Sequence, residues 1–237
     1  MSYQPQTQPM GVAIDISDVM RRVYLWMVAG LAITAIVAFA VAQSGVWQIV
    51  FENPIILLVV IIAEFGLVIG ITAGINRMSP TTAGALFAVY SALNGVTLSF
   101  IFLIYEIGDI TIAIVATSAM FAAMSIVGYT TKIDLSKIGS ILFMALIGLI
   151  IASFLNLLLQ SETLYWIISY AGVLIFVGLT AWDTQKIKRM AENIPTSGGG
   201  EMVEVSVGRL ATIGALILYL DFINMFLFIL RIVGRNR

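Results

Sequence analysis

Seven runs of about 20 mostly apolar residues divide this chain, and each is long enough to cross a ~30 Å hydrocarbon core as a helix. They fall at roughly 23–43, 54–75, 82–104, 110–129, 138–159, 164–184 and 209–231. Lipid offers no hydrogen bonds to a backbone, so runs of this length dictate an all-α polytopic membrane protein. Composition agrees: 60% of the 237 residues are hydrophobic and 11% are charged, against ~25% charged in a soluble domain. Turn and charge signals separate the runs: Glu52-Asn53-Pro54, Arg77 to Pro80, Glu106 to Asp109, Lys132 to Lys137 and Ser161-Glu162. Connections this short make neighbouring helices antiparallel members of one bundle. The expected organisation is a polar, disordered tail over 1–20 followed by a seven-helix transmembrane domain over 21–237. One long, mobile connection is expected at 185–208, around Pro195 and Gly198-Gly199-Gly200.

The basic residues orient the bundle. Arg21 and Arg22 precede the first span, Arg77 follows the second, Lys132 and Lys137 follow the fourth, and Lys186, Lys188, Arg189 and Arg209 lie between the sixth and seventh. The loops after spans one, three and five hold no Lys or Arg, which puts the N-terminus and the tail in the cytoplasm. Seven full crossings then place Arg231, Arg235 and Arg237 outside, against the bias. Either the last segment is half-embedded or re-entrant, or the earlier charges decide the topology. Ala40-Val41-Ala42 imitates a signal-peptidase site, but the apolar stretch before it exceeds the ~7–15 residues of a signal peptide, so the first helix is read as uncleaved.

Several chemistries are closed to the chain. It has no Cys and no His, which removes disulfides, thiol nucleophiles, His-based triads and redox-cofactor ligands. A net charge of −1 gives no basic excess for nucleic acid, and no nucleotide-binding glycine motif is present. What remains is the small set of acids at membrane depth. Of thirteen acids, Glu64, Asp183 and Asp221 fall within apolar runs, and no Lys or Arg lies inside a run to pair with them. Such a residue costs ~2.5–3.5 kcal/mol on insertion scales and marks a functional site by default; its bland alternative is a hydrogen bond bracing two helices. Glu64 sits mid-span near Gly66, Gly70 and Gly74 but about 120° from their seam, facing a cavity or a third helix. Pathway and support roles are equally open to it. Asp221 shares a face with Asn224 and Gly214. Asp183 on its own reads as a boundary acid before Lys186, Lys188 and Arg189. The two aspartates reach one level only if the last helix projects into the cytoplasm through about Gly214.

At these residues the chain resembles the Bax inhibitor-1 family, closest to its bacterial inner-membrane members. The match is carried by Gly178-Leu179-Thr180-Ala181-Trp182-Asp183-Thr184-Gln185-Lys186 and Leu218-Tyr219-Leu220-Asp221-Phe222-Ile223-Asn224-Met225-Phe226. Gly128 to Lys132 and Arg231 to Gly234 add to it. The resemblance implies six helices wrapped around a central last helix and a pH-sensitive Ca²⁺ leak rather than an enzyme. It further implies a pH-sensing, ion-binding Asp183/Asp221 pair near the cytoplasmic side, with Arg77 as a basic latch. Two close carboxylates titrate in separated steps, and the doubly ionised pair suits Ca²⁺, which takes ~6–8 oxygens. Thr180, Thr184, Asn224, carbonyls and water are the further oxygen sources. No cofactor is expected; the partners are the bilayer, Ca²⁺ and protons.

Two rivals remain. Aspartates on adjacent spans also describe an intramembrane aspartyl protease, but that family's Tyr-Asp, Gly-x-Gly-Asp and Pro-Ala-Leu motifs are missing here. The family resemblance also admits a modulator or substrate of a membrane-bound AAA protease, with the 1–20 tail and the 190–208 loop as handles.

Overall fold

The computed structural model describes residues 14–195 and 199–234. Among them the chain is helical with short turns: α1 (Ile16–Ser44), α2 (Val46–Phe51), α3 (Pro54–Gly74), a 3-10 turn (Ile75–Arg77), α4 (Pro80–Leu98), α5 (Ile101–Ile104), α6 (Ile107–Thr130), α7 (Ser136–Leu159), α8 (Glu162–Glu192) and α9 (Gly200–Gly234). Seven of these segments are long and apolar enough to cross a membrane, counting the 3-10 turn with α3 and α5 with α4.

Local chemistry explains where the helices start. Asn53 and Ser79 each cap a helix whose first residue is proline, a position where the missing N–H leaves no bond unmade. Ser161 caps α8 by accepting from Leu164 N. Asp15 caps α1 by accepting from Ser17 N at 2.9 Å, and Asp18 then binds Arg21 and Arg22 one turn on. The helix therefore begins at Ile16, and residues 16–20 belong to it rather than to the expected tail; residues 1–13 lie outside the described part. Asp109, read as a loop acid, is buried in the first turn of α6, where the helix dipole favours it.

The expected long connection shrinks in the same way. Helix α8 continues to Glu192 and α9 starts at Gly200, leaving 193–199, of which 196–198 lie outside the described residues. Ile187, Ala191, Val203 and Val207 supply the cause. They form buried i, i+4 stripes in segments too polar to register as apolar runs.

Helix α9 is the axis of the bundle and its most buried span. It packs on α8, α1, α6 and α4, while α3 rests chiefly on α4, and α7 on α8. The last helix is central as expected, but four spans rather than six surround it closely. Spans two and five are peripheral, with nearly all their side chains facing outward. Helix α9 is also unbroken over 35 residues. Glu204 at its start pairs with Arg22, and Gly234 at its end lies against Tyr105. The last segment is thus one continuous helix, long and apolar enough to cross a membrane.

Candidate functional site

Helices α8 and α9 run antiparallel, and close contacts set their register. Gly172 lies against Phe228, and Gly214 against Ile187. Asp183 is therefore level with residues 217–218 and stands about one helical turn, ~5 Å, from the level of Asp221. By the same register α9 projects some eight residues past the end of α8. Both are buried, at 7% and 5% exposure.

Two glycines bring neighbouring helices up to this point. A Cβ at Gly128 of α6 would meet the Ala181 backbone, and one at Gly139 of α7 would meet the Trp182 ring. Both contacts fall on the two residues that precede Asp183.

The aspartates line a cavity of about 940 Å³ between α7, α8 and α9. Its wall on α8 runs from Tyr165 to Lys186, ~32 Å of helix at 1.5 Å per residue. Most of the lining is apolar; Asn156, Tyr105 and Arg231 add polarity at the end remote from Lys186. Asn224 shares the lining, with its amide donating to Leu220 O at 2.8 Å. Asp221 Oδ2 and Thr184 Oγ1 are buried without a hydrogen-bond partner, whereas Thr180 is satisfied by Phe176 O at 2.7 Å. Buried oxygens are normally paired, and of these two only Asp221 lines the cavity. No cluster of three or more acids exists among the described residues. Two carboxylates fall short of a full set of calcium ligands.

The basic neighbour of the pair is Lys186. Its Nζ lies 4.0 Å from Asp183 Oδ1 and 4.9 Å from the centre of the Trp182 ring. Arg77 is elsewhere: it is exposed in the 3-10 turn after α3 and does not line the cavity.

Glu64 also lies apart. Thr97 Oγ1 donates to its Oε1, and Asn94 interacts with it. Asn94 Oδ1 accepts from Tyr219 OH at 3.0 Å, and Tyr219 OH lies 2.7 Å from Thr34 Oγ1. One chain of polar contacts thus ties α3, α4, α9 and α1 together on the face of α9 turned away from Asp221.

Sequence reasoning did not anticipate Gln185. Its Nε2 donates to Ile133 O at 2.8 Å, and its Oε1 accepts from Leu135 N at 2.9 Å. Arg189 binds Asp134 at 2.8 Å and Lys188 donates to Tyr129 O at 2.9 Å. Together they clamp the end of α8 to the loop between α6 and α7. Nothing in residue spacing reveals a side chain that pairs with the backbone some fifty positions away.

A family profile described as Inhibitor of apoptosis-promoting Bax1 matches residues 16–237. The chain belongs to the Bax inhibitor-1 family. Among its relatives in that family, the inner membrane protein YbhL of Escherichia coli K12 is 49% identical over 219 residues, 92% of each chain. An uncharacterised protein of Borreliella burgdorferi is 43% identical over 217 residues, 91% of each chain. An uncharacterised membrane protein of Streptococcus pyogenes is 37% identical over 226 residues, 94% of this chain and 95% of its own. With seven helices long and apolar enough to cross a membrane, and relatives named as membrane proteins, this Bax inhibitor-1 member is a multi-pass membrane protein.

Proposed function

We propose that the protein is a non-enzymatic, pH-sensitive calcium leak channel of a bacterial inner membrane, with its N-terminus in the cytoplasm and Asp183 and Asp221 as sensor. The observation that carries this reading is the shared cavity: two buried carboxyls on adjacent helices, one with an unpaired oxygen, open into a space that follows α8 for most of a membrane thickness. When both carboxyls are ionised they attract a divalent cation, and Lys186 offsets part of that charge. Protonation weakens the hold of Asp183 on Lys186 and removes the repulsion between the two carboxylates, and the bundle changes arrangement. The α8 clamp at Gln185 and Arg189 keeps the basic end shut meanwhile. Membership of the Bax inhibitor-1 family supports a calcium leak.

The test is calcium entry into dye-loaded liposomes carrying the full chain, between pH 6 and 8, beside Asp183→Asn and Asp221→Asn. The reading holds if flux varies with pH in the parent and both variants lose that variation. It fails if folded protein passes no more calcium than empty liposomes, or if Asp221→Asn keeps the parent's pH response. Cleavage of a transmembrane peptide by the parent but not by Asp221→Asn would replace it with a protease.

A further inference from the structure

A second cavity, of about 790 Å³, lies on the opposite side of the bundle between α1 and α6. The two helices run antiparallel and each packs on α9 without closing on the other. On α1 the cleft extends from Ser17 to Val28, eleven residues and ~16 Å, or about half of a ~30 Å hydrocarbon core. Its polarity is graded. Arg21, Tyr24 and Tyr129 stand at the basic end, and the deeper wall is aliphatic and aromatic, with Leu25, Ile126 and Phe121. Leu25 and Ile126 are more than 60% exposed.

Ser125 breaks the pattern. It lines this apolar cleft at 6% exposure, and its hydroxyl has no hydrogen-bond partner. Thr111, Thr117 and Thr130 of the same helix each donate to the carbonyl four residues earlier; Ser125 leaves that bond unmade. A buried hydroxyl left single is costly unless an absent partner meets it. Ser125 is five residues below Thr130, ~7.5 Å along the axis. Glycerol-ester carbonyls follow the phosphate of a bilayer lipid at such a depth. Arg21, at the mouth, uses one of its nitrogens on Asp18 and remains 72% exposed, so most of its five donors are free for a phosphate. Lys188 adds a second positive charge over the Tyr129 ring at 4.9 Å.

We propose that the α1–α6 cleft is a binding site for one glycerophospholipid of the leaflet at the basic end. Its phosphate rests on Arg21, an ester carbonyl accepts from Ser125 Oγ, and one acyl chain lies along Leu25, Ile126 and Phe121. The site is independent of the calcium reading and needs only the bilayer.

Native mass spectrometry of the full chain in detergent, titrated with phosphatidylglycerol, tests it beside Ser125→Ala, Arg21→Gln and Ala122→Trp, which fills the cleft. The parent should hold one lipid that Ala122→Trp lacks. Ser125→Ala should bind about tenfold more weakly, the equivalent of one hydrogen bond at 1.4 kcal/mol per decade. Melting in lipid-free detergent is the control. Ser125→Ala should melt at or above the parent, and added lipid should raise the parent's Tm more than the variant's. Equal occupancy in all four proteins would reduce the lipid to ordinary solvent and overturn the proposal. So would a Ser125→Ala protein that melts several degrees lower without lipid, since Ser125 would then be structural. Loss in Arg21→Gln but not in Ala122→Trp would leave a phosphate contact without an acyl site. Equal retention of phosphatidylethanolamine supports the proposal and assigns recognition to the phosphate itself.

Discussion

Tyr219 and Asp221 are two residues apart on α9, about 200° around its axis, and their surroundings differ in kind. Tyr219 is wholly buried, its ring edge-on to Phe87 and Tyr90 at 5.6 and 5.7 Å, its hydroxyl bonded to Asn94 and next to Thr34. Asp221 is as deeply buried but faces a cavity, with one carboxyl oxygen unpaired. One face of the central helix is finished by the protein's own side chains. The other is left incomplete. The difference separates polar groups paired between helices from polar groups left open to a cavity.

The strongest test sets the two faces against each other. Asp221→Asn should abolish the pH dependence of calcium flux, while Tyr219→Phe should leave it in place; liposome flux across pH 6 to 8 reads both. If Tyr219→Phe flattens the response as well, the faces are not separate. Tyr219→Phe should instead cost stability. It loses two interhelical contacts of about 0.6 kcal/mol each in a membrane setting, so thermal unfolding in detergent should report a loss of about 1 kcal/mol. Lys186→Gln comes next. With the cation beside Asp183 gone, an ionised pair loses its compensating charge, and the flux midpoint should move to higher pH without loss of the response. Arg77→Gln should move it less, since Arg77 lies outside the cavity. An Arg77 effect equal to that of Lys186 would show a second arrangement in which the turn after α3 swings over the site.

The smallest effect is expected at Asp134. Hydrogen bonds from Ser136 and Arg189 hold its carboxyl at about 2, below the usual carboxylate range. A depressed value means that the contact stabilises above the ordinary carboxylate range and is lost only as pH falls toward 2. The clamp on the α6–α7 loop is therefore constant between pH 6 and 8. Asp134→Asn should leave the flux midpoint where it is, and a shifted midpoint would make the clamp part of the sensor.

Much of the fold was legible because the bilayer admits few solutions. An apolar run near 20 residues has to be a helix, and the expected starts at 54, 82 and 164 lie within two residues of the observed Pro54, Pro80 and Glu162, where Asn53, Ser79 and Ser161 act as caps. The polar ends of α8 and α9 were misread as a loop because hydropathy averages over a window, while Ile187, Ala191, Val203 and Val207 act one at a time. Glu64 remained open between two roles in sequence; its partners Thr97 and Asn94, some thirty residues on, favour the brace.

The chain by itself determined its spans, its excess of basic residues at one end, the family-bearing motifs around Asp183 and Asp221, and the absence of Cys and His chemistry. These are properties of composition and local order, which the bilayer reads directly. Tertiary structure decided which acids meet. The α8–α9 register set by Gly172 and Gly214 brings Asp183 and Asp221 to one cavity and leaves Arg77 outside it. It also decided that Ser125 has no partner. Such facts depend on how far one helix slides along another, and close packing of small residues fixes that slide only once the helices are together.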